Sequence, residues 1–323
     1  MANNQQLMFG CVSHSPIIVV RKHMPQVEPR LIADCAAFRA RVEAFNPDHI
    51  VMFSNDHFAS FHYSNMPAFC VGTHCEAVDD VGGTPGKIPV PEEDAMALAE
   101  YLRKEHFDTA ISYLMRVDHG FSQPLKRLLG GIDRWPLIPV FISAFTRPFV
   151  SFSRARLLGE AVGRFIATSG KRVLIMGSGG LSHHPEHYYP MRENASPAVY
   201  GWQLDGEAGG TMTKEQWFTR LLTMHLEGAD AIVAGTRTVA DMRLNADFDQ
   251  QVLDYITSGE LVPMDDWNHL EIVAKAGVGA LEILNWIAAR AAYRAAGGGA
   301  VTASYDLVPD YAVGYALAQS VAQ

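Results

Sequence analysis

Short apolar runs recur along the first half of the chain, and each is followed by a segment whose apolar residues have helical spacing. The runs lack polar alternation, which is typical of strands buried on both faces of a parallel sheet. A repeated strand–helix order predicts an α/β fold with a mainly parallel central sheet, right-handed crossovers and helices on both faces. The predicted strands are Leu7–Val12, 49–53, 109–114, 137–143 and 173–176.

The second half of the chain carries long amphipathic stretches and few strand signals, so the sequence predicts a helical C-terminal half. Residues 59–91 hold scattered Gly and Pro and are expected to form a long excursion over the site. Helices are predicted at 27–45, 91–106, 122–130 and 153–168, and then at 214–227, 247–258, 267–275 and 279–296.

We expect a single catalytic domain over residues 1–323, because the chain shows no internal repeat and no linker. Its parts are an alternating strand–helix core at 1–184, a loop or lid at 185–213, a helical part at 214–296 and a tail at 297–323. The tail carries three tyrosines that could pack on the body or on a neighbouring subunit: Tyr305, Tyr311 and Tyr315.

Charge and composition narrow the class of protein. The net charge of −9 and the pI near 5.8 argue against a nucleic-acid partner, because no Lys/Arg stripe is present to displace counterions. No apolar run approaches the ~20 residues of a membrane span, and no signal peptide is evident at the N-terminus. We therefore expect a cytoplasmic protein with no membrane partner. The four cysteines lack C-x-x-C spacing, which favours reduced thiols over a cysteine zinc site.

Four histidines follow the ends of predicted strands: His14, His57, His119 and His183. In α/β sheets, ligands bind beyond the carboxyl ends of the strands, and these ends share one edge. We therefore expect the four imidazoles to meet in one site. A neutral imidazole is a good ligand for iron, zinc, copper or nickel, and it also titrates near pH 7. Position alone does not separate metal ligands from acid–base groups.

A carboxylate is expected at the same site, and Glu282 stands out because its neighbours are apolar. A charge in such surroundings is costly to bury unless it is paired or binds a metal. By spacing alone, Glu282 and Asn285 could instead form a solvated strip on an amphipathic helix, and Glu271 is the rival carboxylate. Asp56 and Asp118 directly precede two of the histidines, where they could orient the imidazoles or cap turns.

The glycine-rich segment 177–180 fits neither of two familiar patterns. Ser182 stands where the last glycine of a G-x-G-x-x-G dinucleotide fingerprint would be. Met176 occupies the first glycine position of a G-x-S-x-G nucleophile elbow. The segment therefore predicts a sharp turn after a buried strand, which carries the chain to His183.

Five ordered motifs together resemble the class III extradiol ring-cleaving dioxygenases, of the type of the protocatechuate 4,5-dioxygenase β-subunit. They are Ser13-His14-Ser15-Pro16, Asn55-Asp56-His57, Val117-Asp118-His119-Gly120-Phe121, Gly177-Ser178-Gly179-Gly180-Leu181-Ser182-His183 and Leu281-Glu282-Ile283-x-x-Trp286. The resemblance runs from about residue 7 to residue 296, and within the family it is greatest for the enzymes that act on 2,3-dihydroxyphenylpropionate.

This resemblance implies a mononuclear non-haem Fe(II) held by His14, His57 and Glu282, with His119 and His183 as acid–base residues. It implies O₂-dependent meta-cleavage of a 3-substituted catechol, such as 2,3-dihydroxyphenylpropionate, to a muconic semialdehyde-type product. A homo-oligomer is expected. The candidates for substrate binding are Arg192, which could pair with a substrate carboxylate, and Ser13 and Phe58, which adjoin two of the histidines.

Two other classes of protein remain open at this point. A zinc hydrolase could use the same ligands to activate water. A binding or scaffold protein could keep the fold without catalysis, although it would be expected to lack a ligand, and none is missing here.

Overall fold

The computed structural model describes residues 6–321. Residues 1–5 and 322–323 belong to the expected domain 1–323, and the latter two to the expected tail, but they lie outside the described residues. The strands are β1 Leu7–Val12, β2 His49–Ser54, β3 Phe69–Gly72, β4 Cys75–Ala77, β5 Gly86–Ile88, β6 Ala110–Ser112, β7 Met115–Val117, β8 Leu137–Ile142, β9 Val173–Ser178, β10 Val301–Val308 and β11 Val313–Ser320. The helices are α1 Ile17–Val20, α2 Glu28–Phe45, α3 Glu92–Lys104, α4 His119–Pro124, α5 Phe152–Ser169, α6 Pro197–Asp205, α7 Lys214–Val233, α8 Ala246–Ser258, α9 His269–Ala276 and α10 Ile283–Ala295.

The main sheet has eight strands in the order β10-β11-β1-β9-β2-β8-β3-β6. The central neighbours β1, β9, β2 and β8 all pair in parallel, and β3 pairs in parallel with β6. The pairs β1–β11, β10–β11 and β3–β8 are antiparallel. The predicted α/β fold with a mainly parallel central sheet is therefore confirmed.

Each central strand is apolar throughout because its two faces pack against different helices. In β1, Phe9 belongs to the core cluster that includes α5 and α10, and Met8 belongs to the cluster that includes α2. In β2, Val51 belongs to the first of these clusters and Ile50 belongs to the second. Since successive strand residues point to opposite faces, burial on both sides requires a run without polar alternation. The helical C-terminal half supplies α7 to α10.

The described part of the expected tail, residues 297–321, contains a β-hairpin of β10 and β11. β10 and β11 pair with each other over eight residues each, and β11 extends the main sheet beside β1. Tyr311 and Tyr315 are buried in this chain, and the Tyr305 hydroxyl donates a hydrogen bond to Asp249. These tyrosines therefore pack on the body of their own chain.

Three further predictions of local structure need correction. The excursion at 59–91 contains β3, β4 and β5, and the loop or lid at 185–213 contains α6. The predicted strand at 109–114 is two strands in different sheets, since β6 joins the main sheet and β7 joins a three-stranded sheet of order β5-β4-β7. Within residues 6–321, no helix combines the length and apolar character that crossing a bilayer requires.

Candidate active site

Three of the predicted histidines reach one edge of the main sheet from strands that are neighbours. β9 lies between β1 and β2, and all three strands run in the same direction. His14, His183 and His57 follow the carboxyl ends of these strands, and all three are buried. The prediction of a shared sheet edge is met for these three side chains.

His119 reaches the same place by another route, so its predicted position after a main-sheet strand is wrong. It follows β7 of the three-stranded sheet and is the first residue of α4, for which Asp118 is the N-cap. Its ring stacks on that of His57 with 4.3 Å between centroids, and its centroid lies 5.2 Å from that of His14. The structure therefore brings all these imidazoles together, although not on one sheet.

Glu282 enters the site at the end of a 3-10 turn, Val278–Glu282, that leads into α10. It is fully buried, as is Asn285, so the alternative of a solvated strip is wrong. Asn285 donates to Asn55 Oδ1, and Asn55 in turn donates to Glu282 Oε1 at 3.1 Å. The rival Glu271 is exposed on α9. Glu282 is therefore the carboxylate that lies among the histidines.

The carboxylate faces two imidazoles at distances that a bound metal ion could bridge. Glu282 Oε1 lies 3.4 Å from His14 Nε2 and 3.1 Å from His57 Nε2. Two donor atoms that bind one ion at about 2.1 Å, with an angle of roughly 90–110°, lie about 3.0–3.4 Å apart. His14 Nε2 is buried and has no hydrogen-bond partner within residues 6–321. These three residues could therefore hold a metal ion.

A second combination of ligands is also possible, because ring nitrogens of His14, His57 and His119 lie within 4.8 Å of one another. Three neutral imidazoles, however, would bring no negative charge to a divalent ion. Burial alone raises the pKa of Glu282, but His14, His57 and His183 outweigh it and hold the pKa well below its usual range. We favour the set that includes Glu282 because it supplies an ionised oxygen ligand.

All four histidines use Nδ1 for a contact with the protein. The Nδ1 partners are Ser178 Oγ for His14 at 2.9 Å, Asp118 Oδ2 for His57 at 3.0 Å, Asp80 Oδ2 for His119 at 2.5 Å and Leu181 O for His183 at 3.0 Å. Such contacts fix the ring orientation and the tautomer, and they leave Nε2 for a ligand or a substrate.

The two aspartates that precede site histidines have different roles. Asp118 Oδ2 accepts the backbone N–H of His57 at 2.5 Å as well as the contact from its ring. Asp56 Oδ2 instead accepts three backbone N–H groups of the following turn, those of residues 59–61. Asp118 orients an imidazole, whereas Asp56 caps a turn.

The charge states of the imidazoles differ. Burial lowers the pKa of His57, but Asp118 and Glu282 outweigh it and raise that pKa well above its usual value. The two carboxylates therefore stabilise positive charge at this position, which a bound metal ion would supply in place of the proton. Burial lowers the pKa of both His119 and His183, and neighbouring histidines lower each further. Both rings therefore favour the neutral form, which His183 requires if it is to accept a proton.

Two glycines explain why the chain turns where it does. A Cβ on Gly179, which has φ +106°, would lie 2.5 Å from Glu282 Oε2. A Cβ on Gly279 would lie 2.2 Å from the His183 ring. Gly179, in the glycine-rich segment, therefore makes room for the buried carboxylate.

Asp249 braces the segment that carries His183. Its Oδ1 accepts the Ser182 N–H at 2.7 Å, and its Oδ2 accepts the Ser182 hydroxyl at 2.6 Å and the Tyr305 hydroxyl at 2.9 Å. Gly314 N–H also donates to Ser182 O at 2.9 Å. The C-terminal hairpin and α8 therefore fix the backbone beside His183.

We expect Asp249→Ala to lower the free energy of unfolding by about 1–3 kcal/mol, because it strands buried donors at Ser182 and Tyr305. Urea denaturation measures the loss. Asp254→Ala, an exposed aspartate on the same helix, is the matched control and should stay within about 0.5 kcal/mol of the parent. Equal stabilities for the two variants would contradict this account.

The predicted substrate-binding residues are not gathered at the histidines. Ser13 Oγ donates to Gly314 O and accepts from Ala316 N–H, each at 3.1 Å, so it ties β1 to β11. Phe58 packs in an aromatic cluster with Trp202 and Trp217. Arg192 is exposed and lines a recess of about 490 Å³ that none of the four histidines lines. Their roles in substrate binding stay predictions.

The space between the histidines is narrow. It measures about 20 Å³, which is enough for an ion or a water molecule but not for an aromatic ring. His57 and Tyr189 also line a neighbouring recess of about 440 Å³, a volume within the range of small-molecule pockets. Tyr189 also lines the space between the histidines, so its side chain forms part of both walls.

Sequence reasoning missed several residues of this site, namely Asp80, Tyr188, Tyr189, His225 and Arg237. They come from the segments that had been predicted as an excursion or loop and from α7 and the turn after it. Their local sequence carries no motif. For His225, the only sequence signal is that it is one of the chain's 13 histidines.

The fold and the site together define a metal-dependent α/β enzyme. Residues 8–317 match the family of the catalytic LigB subunit of aromatic ring-opening dioxygenase, and the chain belongs to this family. The predicted resemblance to extradiol ring-cleaving dioxygenases is confirmed.

Curated relatives carry the name 2,3-dihydroxyphenylpropionate/2,3-dihydroxicinnamic acid 1,2-dioxygenase. Those of Escherichia coli strain K12 and Shigella sonnei strain Ss046 are each 39% identical over 292 residues, which cover 89% of this chain and 89% of each relative. Among solved structures, an uncharacterized protein from Escherichia coli K12 covers 97% of this chain and 99% of its own, with 14% identity and a TM-score of 0.43. That likeness is too low to support an inference.

Proposed function

We propose that this chain is an Fe(II)-dependent extradiol dioxygenase that uses O₂ to open a catechol ring beside its diol, giving a muconic semialdehyde-type product. The observation that carries the proposal is the buried set of His14, His57 and Glu282, with Nε2–Oε1 distances of 3.4 and 3.1 Å. Two imidazoles and one carboxylate on one face leave open positions, which suit a non-haem Fe(II) oxygenase. Bound iron would supply a Lewis acid for the catechol oxygens and a path for electrons to O₂.

His183 is the proposed base. Its Nδ1 faces the carbonyl oxygen of Leu181 at 3.0 Å, so Nδ1 carries the proton and Nε2 is the acceptor. Burial keeps the pKa of His183 below its usual value, so the ring is neutral when substrate arrives. It can then accept a proton from a catechol hydroxyl.

His119 is the proposed partner on the other side of the site. Its ring is held by Asp80 Oδ2 at 2.5 Å from Nδ1 and by the stack on His57. Burial, and then the nearby Asp118, raises the pKa of Asp80 well above its usual value, so a proton is available in this contact. His119 can therefore hydrogen-bond the oxygen-derived groups and protonate the group that departs.

The substrate class follows from the relatives. Their name specifies 2,3-dihydroxyphenylpropionate and 2,3-dihydroxicinnamic acid, which are catechols with a carboxylated chain at position 3. We propose a 3-substituted catechol of this kind as the substrate here.

The test is oxygen uptake by protein that has been purified anaerobically and loaded with Fe(II). The panel comprises catechol, 3-methylcatechol, 2,3-dihydroxyphenylpropionate and protocatechuate. We expect uptake of one O₂ per ring opened, with a yellow product, and the highest kcat/KM for the 3-substituted compounds. Full zinc occupancy in the purified protein, with no uptake on any catechol, would instead indicate a hydrolase.

The expected homo-oligomer is a separate proposal. Size-exclusion chromatography with light scattering tests it, and a monomer at micromolar concentration would contradict it.

A further inference from the structure

The space between the four histidines has a wall that the proposed chemistry does not use. Besides the histidines, it is lined by Tyr188, His225 and Arg237. The rings of Tyr188 and His225 are stacked, with 3.9 Å between centroids and 11° between planes. The Arg237 guanidinium donates a hydrogen bond to the Tyr188 hydroxyl and lies 5.2 Å from the centre of its ring. A continuous set of side chains therefore leads from the histidines to a cation.

Arg237 has hydrogen-bonding capacity to spare. Its side chain donates a hydrogen bond to Tyr188, and its charge helps to lower the pKa of Asp241, with which it forms no ion pair among the described residues. Asp241, nearby in sequence, uses Oδ2 to accept the Thr238 N–H and hydroxyl, each at 2.8 Å. A guanidinium presents a planar fork that matches a carboxylate, so this one is suited to an incoming anion.

The fold keeps room for this contact. A Cβ on Gly228 of α7 would lie 2.2 Å from the Tyr188 hydroxyl oxygen and 2.7 Å from Arg237 Nη1. Burial lowers the pKa of His225 to about 3, so this ring is neutral and Arg237 is the fixed positive charge on the wall. Tyr188 and Arg237 also line an outer recess of about 680 Å³.

The opposite direction from the histidines is unfavourable for an anion. The recess beyond Tyr189 is lined by two cations, Arg116 and Lys214, and by four acids besides the Asp80 that contacts His119: Asp79, Asp118, Asp205 and Glu207. This surplus of carboxylates repels another carboxylate. The outer recess on the Arg237 side has a smaller surplus of acids, since Glu186, Glu227 and Asp241 face the two cations Arg220 and Arg237.

Arg192 is the rival cation, and its surroundings are different. It lines the recess of about 490 Å³ with Tyr63 and Phe145, and its guanidinium lies 5.5 Å from the centre of the Tyr200 ring. None of the four histidines lines that recess. Phe145, which lines that recess, has its ring centroid 5.4 Å from that of His57, so Arg192 is tested beside Arg237 in the experiment below.

We propose that Arg237, held in place by Tyr188, binds the carboxylate of the ring substituent and so selects 3-carboxyalkyl catechols over catechols with an apolar substituent. This inference rests on the proposed function, because it requires a catechol ring at the histidines. It replaces Arg192 as the recognition residue.

The experiment compares Arg237→Gln, Arg237→Lys and Arg192→Gln with the parent enzyme on two substrates. These are 2,3-dihydroxyphenylpropionate and 3-ethylcatechol, which lacks the carboxylate. Affinity is measured by anaerobic titration of the Fe(II) enzyme, and kcat and KM by oxygen uptake. For Arg237→Gln we expect Kd and KM for the acid to rise about 10- to 100-fold, with 3-ethylcatechol changed less than about 2-fold. Arg237→Lys keeps the positive charge but lacks the planar guanidinium, so its Kd and KM for the acid should lie between those of the parent and those of Arg237→Gln.

Two outcomes would overturn the inference. One is a selective loss for the acid in Arg192→Gln rather than in Arg237→Gln. The other is an equal loss on both substrates in Arg237→Gln, which would indicate a structural role. Failure of the proposed function is distinct, since the parent enzyme would then take up no oxygen with either catechol.

Discussion

Glu282→Ala is expected to lower the affinity of the protein for Fe(II) by at least about 100-fold and to abolish ring opening. Removal of a group that only orients a ligand costs about 10- to 100-fold, and loss of a ligand costs more. The variant leaves His14 and His57 without the ionised oxygen that lies 3.4 and 3.1 Å from them. Iron is measured by elemental analysis after anaerobic reconstitution and desalting.

Glu271→Ala is the matched control, because this carboxylate was the rival by sequence and is exposed on α9. It should keep iron and activity. Glu282→Gln is the control for misfolding, because it preserves the size of the side chain. Its amide oxygen can still accept the Gly180 N–H, which lies 2.5 Å from Oε2 in the parent. Iron retained in both Glu282 variants would move the site to the three-imidazole combination of His14, His57 and His119.

The parts of this fold that could be predicted are those whose signal is local. β1, β2 and β9 are read correctly because burial on both faces imposes an apolar run on consecutive residues. His14, His57 and His183 then follow, because the carboxyl ends of neighbouring parallel strands share an edge. Glu282 could be suspected for the same reason, as a charge among apolar residues.

What could not be predicted depends on contacts between distant residues. The hairpin at the C-terminus pairs β11 with β1 across some 300 positions, in the register Gly10↔Gln319, and no local pattern specifies that partner. β7 is a strand, but three residues cannot show which sheet they join. Asp80 is one of many acidic residues in the sequence, and only the tertiary structure places its Oδ2 2.5 Å from His119 Nδ1.

The protonation states of the two aspartates beside the histidines also depend on contacts between distant residues. The sequence could rank Asp56 and Asp118 equally, because both precede a histidine. In the structure Asp118 faces two imidazoles, His57 and His119, which outweigh burial and lower its pKa. Asp56 lacks such a pairing, and burial together with Asp118 raises its pKa to about 8. Which acid is ionised follows from which side chains it faces.

His183→Ala is expected to keep iron but to lower kcat by about 10²- to 10⁴-fold, the usual contribution of a positioned acid–base group. His183 Nε2 lies 3.7 Å from Glu282 Oε2, farther than the nitrogens of His14 and His57 lie from Oε1, so the ring is a neighbour of the ligand set. Iron content and single-turnover rates separate binding from chemistry. His74→Ala, at an exposed histidine, should behave as the parent does.

The His119→Ala variant distinguishes further between the two candidate sets of metal ligands. As an acid–base residue held by Asp80, it should keep iron and lose turnover by a similar factor. A partial return of activity in either variant on addition of imidazole would support a proton-transfer role, because a small base can occupy the vacated space. Loss of iron from His183→Ala would show that this residue and one of the proposed ligands have been exchanged, and loss from His119→Ala would favour the three-imidazole set.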